Sequence, residues 1–286
     1  MRDKKLIQLY ITNVCNSHCK TCSIWKNKER RELNVKDIEK VIEAFPYADY
    51  VIGGGEAILS NNIENILSVL KNRKISYTLL SNCIWVGRLC GLVEKYQVPA
   101  VTISCDGINH DKIRGFEGNL ATIRMFWKYC VETGTKFKIS YTYSKYNEKT
   151  FQQDMDMFRK MGLREIYFCI AQDMELLKTA ESDENFVAND FKHKQILKCE
   201  LISEKDKNHI RRMLTGERWC CMSQNNVHTI YSNGDIVRCQ SFKSSNVLGN
   251  IQEMTVDQIK VCLYSVENER CQFDTECNLL CQRRYD

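Results

Sequence analysis

Leu6-Ile-Gln-Leu-Tyr-Ile11-Thr-Asn-Val-Cys15-Asn-Ser-His-Cys19-Lys-Thr-Cys22 joins a strand to a run of thiols. Leu6 to Ile11 reads as a strand that is apolar on both faces, as the strands of parallel barrels are. Directly after it, three cysteines stand in a Cys-x3-Cys-x2-Cys spacing. Thiolates at this density hold iron–sulfur clusters, which normally take four cysteines. Three would leave one iron without a protein ligand, open to a small molecule, which points to a catalyst rather than a plain electron carrier. Two other readings compete. A zinc site needs four N/S ligands in tetrahedral geometry, and His18 would have to close it from an awkward position between Cys15 and Cys19. The thiols could also be inert buried side chains.

Further strands follow, each with a helix behind it. Asn34 is placed to cap a helix whose apolar positions are Val35, Ile38, Val41 and Ile42. Tyr50 to Ile52 reads as a second strand ending in Gly53-Gly54-Gly55-Glu56, and a helix follows with Ile63, Ile66, Leu67 and Leu70 on one face. Ile75 to Leu80 ends at Ser81-Asn82, and a helix from Trp85 to Tyr96 leads to a strand over Ala100 to Ser104. A loop from Asp106 to Gly115, a helix from Leu120 to Glu132 and a strand from Phe137 to Tyr143 come next. Asn147 is expected to cap the following helix, Gly162 to end it, and Glu165 to Ile170 to form the sixth strand.

Six β-then-α units end near residue 190, whereas a closed eight-unit barrel takes about 250 residues. The expectation is therefore an α/β fold: a partial (β/α)6 TIM barrel over residues 1–195, followed by a small α+β domain over residues 196–286. In such barrels chemistry sits at the C-terminal ends of the strands. Cys15–Cys22, Gly54-Gly55-Glu56, Ser81-Asn82 and Ser104–Asp106 all fall there. Residues 171–215 are charged and mostly helical in pattern. Beyond Cys221, Val227–Tyr231 and Ile236–Arg238 flank Ser-Asn-Gly-Asp and read as a hairpin; Met254 to Leu263 reads as helix.

Composition bounds the function. The 286 residues are 43% hydrophobic and 27% charged, with a net charge of +5 and scattered basic residues such as Lys28-Glu29-Arg30-Arg31. No nucleic-acid footprint is visible. The short apolar segment behind Met1-Arg-Asp-Lys-Lys5 is broken by Gln8 and is no signal peptide, and no run approaches bilayer length. The expectation is a cytoplasmic, reduced protein, in which sixteen cysteines point to metal rather than disulfides.

The pattern resembles the radical S-adenosylmethionine (SAM) enzymes of the SPASM/twitch group across nearly the whole chain. Cys15, Cys19 and Cys22 match the cluster motif, whose open iron takes the amino and carboxylate groups of SAM; Gly54-Gly55-Glu56 resembles the segment that receives the SAM amino group. Ile103-Ser-Cys-Asp-Gly107 with His110-Asp-Lys-Ile-Arg-Gly115 resembles the Ser-x-Asp-Gly … His-Asp-x-x-Arg-Gly stretch, and Ser81, Asn82 and Ser104 are the positions its SAM contacts imply. Farther on, Cys221, Gly234 and Cys239 fit a Cys-x12-Gly-x4-Cys block, followed by Leu248-Gly-Asn-Ile251 and by Cys271-x5-Cys277-x3-Cys281. Asn268 stands where another cysteine is expected, and none follows Cys281. The resemblance thus implies one auxiliary [4Fe–4S] cluster, held by Cys221, Cys239 and Cys281, with Cys277 or Cys271 as the fourth ligand and Cys220 in reserve. Thr21 and Ala57 replace an aromatic residue and a proline of the group without removing a ligand.

The implied chemistry is reductive cleavage of SAM to a 5′-deoxyadenosyl radical, with electrons from a flavodoxin or ferredoxin, and hydrogen abstraction from an unactivated C–H bond. The implied substrate is a peptide, modified by oxidation, cross-linking or epimerisation. Fourteen residues before Cys15 leave no room for a fused leader-binding domain, so a separate leader-peptide-binding protein is expected. The alternatives are a dehydrogenase or epimerase of a sugar or aminocyclitol, and a non-catalytic zinc scaffold. Cys105 and Cys169, near strand ends, are candidate hydrogen donors, set against the ordinary burial of free cysteine. Lys112 and Arg114 are candidates for an acidic substrate group.

Overall fold

The computed structural model describes residues 4–171, 188–189, 191–217, 220–221, 227–237, 247–264 and 283–284. Strands β1 (Leu6–Tyr10), β2 (Asp49–Gly53), β3 (Tyr77–Ser81), β4 (Val101–Ser104), β5 (Phe137–Tyr143) and β6 (Tyr167–Ile170) lie side by side in chain order, all parallel. Helices α1 (Val35–Ala44), α2 (Ile63–Asn72), α3 (Val86–Tyr96), α4 (His110–Arg114), α5 (Asn119–Thr133) and α6 (Phe151–Lys160) run between them. This is the α/β, partial-barrel arrangement the sequence calls for.

Local chemistry starts and stops these elements. Asn34 caps α1 as expected, its side chain accepting the Asp37 N–H at 2.9 Å. Gly162, at φ +76°, follows the end of α6 in the left-handed conformation that glycine allows. Two expectations fail. Asn147 is not a cap: α6 begins at Phe151 with Thr150 at the N-cap position, and the Asn147 side chain accepts Ser144 N–H (2.8 Å) and donates to Thr142 O (2.9 Å). A short amide side chain satisfies its own loop as readily as a helix end. The expected loop from Asp106 to Gly115 contains α4, too short to show a helical period.

The two faces of the strands are not equally buried. In β1 Ile7 and Leu9 are fully buried, whereas Leu6, Gln8 and Tyr10 are half-buried. The same period of two runs through β3 and β4. The core lies between sheet and helices, built from Ile7, Leu9, Ile52, Leu79, Ile103 and Ile139 against Ile38, Ile66, Leu89 and Ile123. The opposite face keeps partial access to solvent and carries Gln8, Thr102, Ser104, Ser140 and Thr142. A barrel that does not close leaves this inner face only half covered, so polar residues persist there.

Beyond β6 come α7 (His193–Lys198), α8 (Glu204–Leu214), a short strand β7 (Cys220–Cys221), the antiparallel pair β8 (Val227–Ile230) and β9 (Asp235–Val237), β10 (Val247–Asn250), α9 (Val256–Tyr264) and β11 (Arg283–Arg284). Strand β8 pairs in parallel with β1, in register from Leu6↔Val227 to Leu9↔Ile230, so the hairpin extends the barrel sheet to nine strands, ordered β10-β9-β8-β1-β2-β3-β4-β5-β6. Strand β11 pairs with β7, with Arg283 opposite Cys221. Among the described residues no helix is long and apolar enough to cross a membrane.

Candidate active site at the strand ends

The loop after β1 carries Cys15, Cys19 and Cys22. Cys19 is buried, the other two half-buried. The loop is fixed by hydrogen bonds to the turn after β2 on one side and to α4 on the other. Gly55 N–H donates to Thr12 O (2.7 Å) and Glu56 N–H to Val14 O (2.8 Å). A Cβ on Gly54 would stand 2.3 Å from Thr12 O, and one on Gly55 2.5 Å from Val14 O, so only glycine permits this approach. On its other side, His18 N–H donates to Arg114 O (3.0 Å), Ser17 Oγ donates to the same carbonyl (2.8 Å), and Lys20 N–H donates to Ile113 O (2.8 Å). Trp25 Nε1 closes the loop from below by donating to Cys22 O at 2.7 Å.

Glu56, Ser81 and Asn82 come together beside this loop. The Glu56 carboxylate is buried; it accepts Ser81 Oγ–H at 2.9 Å and Asn82 N–H at 2.6 Å, and burial pushes its carboxyl up to about 7. The Asn82 side chain donates to Asn16 Oδ1 (2.8 Å) and lies 4.0 Å from Cys15 Sγ. Ser104 ends β4 in register with Ser140, and no hydrogen bond joins it to these residues.

Sequence reasoning missed how deeply the stretch after β4 enters the site. Arg114 Nε and Nη2 grip the Asp106 carboxylate (2.5 and 3.1 Å), and Nη1 reaches Cys19 Sγ at 3.9 Å. Burial opposes the guanidinium's charge, yet Asp106 and Cys19 outweigh it and hold Arg114 above the ordinary arginine range. His110 Nδ1 accepts Asp106 N–H (3.1 Å), so its proton sits on Nε2, which donates to Asn119 Oδ1 (3.0 Å); burial lowers its pKa. The signal was present: Asp106, His110 and Arg114 are spaced i, i+4, i+8, which puts His110 and Arg114 one helical turn apart.

The donor set fits a [4Fe–4S] cluster on one open iron. Three soft thiols sit on one loop, and Asn16 Nδ2 is buried there without a partner. Burial pushes the Cys15 and Cys22 thiols up to about 12. Among the described residues no group of three His, Cys, Asp or Glu side chains converges on a single ion, a demand a cluster does not make because each thiolate takes its own iron. Of the expected auxiliary ligands, Cys239, Cys271, Cys277 and Cys281 lie outside the described residues, and Cys221 is described by its backbone alone.

Comparison with known proteins agrees with this geometry. The family model of the Radical SAM superfamily matches residues 9–158. A probable GTP 3′,8-cyclase of Methanococcus aeolicus is 24% identical over 76% of this chain and 73% of its own. Among solved structures, SuiB of Streptococcus suis bound to the precursor peptide SuiA superposes with a TM-score of 0.68 at 16% identity; the match covers 91% of this chain but 64% of SuiB. Native anSMEcpe with bound AdoMet and the Cp18Cys peptide gives 0.63 at 16% identity, covering 96% of this chain and 87% of that one. The chain belongs to the radical SAM superfamily, enzymes that work with a [4Fe–4S] cluster and SAM.

Proposed function

We propose that this enzyme modifies a peptide, by oxidation, cross-linking or epimerisation at an unactivated C–H bond. The observation that carries the reading is the fold match over more than nine-tenths of the chain to two enzymes whose structures hold a peptide. The half-open inner face of the barrel supports it: Thr102, Ser104, Ser140 and Thr142 line it with hydroxyls suited to peptide amides.

In this reading Cys15, Cys19 and Cys22 bind the cluster, and Gly54, Gly55, Glu56, Ser81, Asn82 and Ser104 border the SAM site. The bound cluster and SAM supply hydrogen-atom abstraction from carbon. The chain's residues orient SAM, restrict water and set the electrostatics. An auxiliary [4Fe–4S] cluster would be held by Cys221, Cys239 and Cys281 with Cys271 or Cys277, in a twitch-like region over residues 196–286. The β7–β11 pairing supports this, since it sets the Cys221 backbone opposite Arg283, two residues beyond Cys281. A flavodoxin or ferredoxin is the electron donor in this scheme, a separate protein presents the leader peptide, and the cytoplasm is the compartment.

The second reading is a small-molecule substrate, favoured by the match to a probable GTP 3′,8-cyclase over three quarters of the chain. One screen decides. The reconstituted enzyme is incubated with SAM, a reductant and panels of peptides, nucleotides and sugars, and 5′-deoxyadenosine is followed. The expected result is acceleration by a peptide, with a mass change in that peptide. Acceleration by a nucleotide or sugar alone overturns the peptide reading.

A further inference from the structure

A chain of hydrogen bonds runs in an arc from Cys15 to Cys19. Asn82 Nδ2 lies 4.0 Å from Cys15 Sγ, and the Asn82 carbonyl accepts Asn119 Nδ2–H at 2.9 Å. Asn119 Oδ1 accepts the His110 Nε2 proton, His110 Nδ1 accepts Asp106 N–H, the Asp106 carboxylate takes two arms of Arg114, and the third arm meets Cys19 Sγ. Its members come from the ends of β3 and β4, from α4 and from the first turn of α5. Asn119, His110 and Asp106 are at most 1% exposed.

We propose that Asp106, backed by His110 and Asn119, is a positioning residue that holds Arg114 over Cys19 and thereby raises the reduction potential of the thiolate-bound centre. The fork geometry carries the argument. A guanidinium has three nitrogens; here Nε and Nη2 are committed to one carboxylate, which fixes the plane and leaves only Nη1 directed at sulfur. The carboxylate cannot swing away, because Asp106 Oδ1 also accepts Thr142 N–H at 3.3 Å and the Asp106 backbone is held by His110. Nor can the arginine, because its own carbonyl is bonded to the cysteine loop through His18 N–H and Ser17 Oγ. The result is a fixed positive charge and an N–H donor on one ligand sulfur. Both stabilise the reduced centre, which carries one more negative charge; hydrogen bonds to sulfur and net charge are the levers that set such potentials. Lysine in this position would reach the carboxylate or the sulfur, but not both.

The inference rests on Cys15, Cys19 and Cys22 binding the cluster, and the test separates the two. The reconstituted full-length protein is titrated anaerobically, and the midpoint is read by electron paramagnetic resonance on the signal that changes when SAM is added. In Arg114→Gln the reduction equilibrium is expected to weaken tenfold or more, about 59 mV to the negative for one electron, with iron content retained. Asp106→Glu keeps both charges but moves the carboxylate that fixes the guanidinium, and should shift the same way by less. Arg114→Lys should fall between wild type and Arg114→Gln. If Arg114→Gln does not take up iron, the other two variants carry the measurement. A wild-type midpoint in fully loaded Arg114→Gln overturns the inference, even if SAM affinity falls, since Arg114 would then be a ligand contact. A shift in Arg114→Gln with none in Asp106→Glu overturns the positioning role. A triple alanine variant at Cys15, Cys19 and Cys22 that keeps the SAM-responsive signal would instead overturn the cluster assignment beneath it.

Discussion

Glu56 shows what a single residue can and cannot announce. Gly54-Gly55-Glu56 is readable as a strand-to-helix turn, and the glycines have a steric reason to be there. Nothing in the tripeptide says that both carboxylate oxygens are already taken by Ser81 and Asn82, because those donors arrive from the next strand. Burial raises the folded carboxyl to about 7, above its ordinary value of 4.5. A raised carboxylate pKa means that the fold prefers the protonated form. Glu56 therefore contributes its full stability below about pH 4.5 and loses it as pH climbs to about 7, where the unfolded chain is ionised and the folded one is not. At about 1.4 kcal/mol per unit the loss is roughly 3 kcal/mol. Glu56→Gln carries no ionisable proton, so the stability difference between variant and wild type should move in the variant's favour by about that amount between pH 4.5 and 7.5. Urea unfolding of the apo protein across this range measures it. Parallel pH curves would show that Glu56 is ionised in the fold at its ordinary pKa.

At the level of elements, the strands and the long helices were legible because each has a local signature. Asn34 precedes an amphipathic run, Ile63–Leu70 keeps its period, and Phe137 to Tyr143 is bounded as expected. The five residues of α4 were not, since one turn and a half shows no period, yet α4 is what the cysteine loop leans on. Gly115 makes that contact possible. It sits at φ +67°, and a Cβ there would stand 2.6 Å from His18 O. Gly118 has φ +81° with nothing within 4 Å of a Cβ, which makes it a matched control. Gly118→Ala should cost about 1 kcal/mol, the backbone strain alone, and leave iron binding untouched. Gly115→Ala carries the same strain and must also push α4 off the cysteine loop. Its loss should be at least twice as large, with faster release of iron to a chelator. Equal losses in the two variants, with equal iron retention, would mean that the loop does not depend on this close approach.

At the scale of the whole molecule, the sequence separates a barrel from a C-terminal region by a change in character near Cys221, and the hairpin it shows there is present as β8 and β9. What it could not show is where the hairpin goes. Pairing between residues more than two hundred positions apart leaves no local pattern, and only the structure reveals that β8 runs beside β1, the strand that leads into the cysteine loop. All four residues of β8 are buried, and Gln8 Oε1 accepts Thr229 Oγ1–H at 2.9 Å across the seam. Helix α9 adds a second attachment: Ile259 and Leu263 are buried, Lys5 donates to Leu263 O at 3.0 Å, and Lys40 of α1 donates to the Ile251 and Met254 carbonyls. Removing residues 218–286 would thus strip β1 of β8, one of its two neighbours, and uncover a sheet edge, a template for pairing with other chains. The fragment of residues 1–217 should be recovered mainly as aggregate, or as a soluble species with a clearly lower melting temperature than the full chain. Both proteins are compared without iron, so that cluster loss does not contribute. A monomeric fragment melting with the full-length apo protein would show that the barrel is self-sufficient and that the β1–β8 seam joins two independent units.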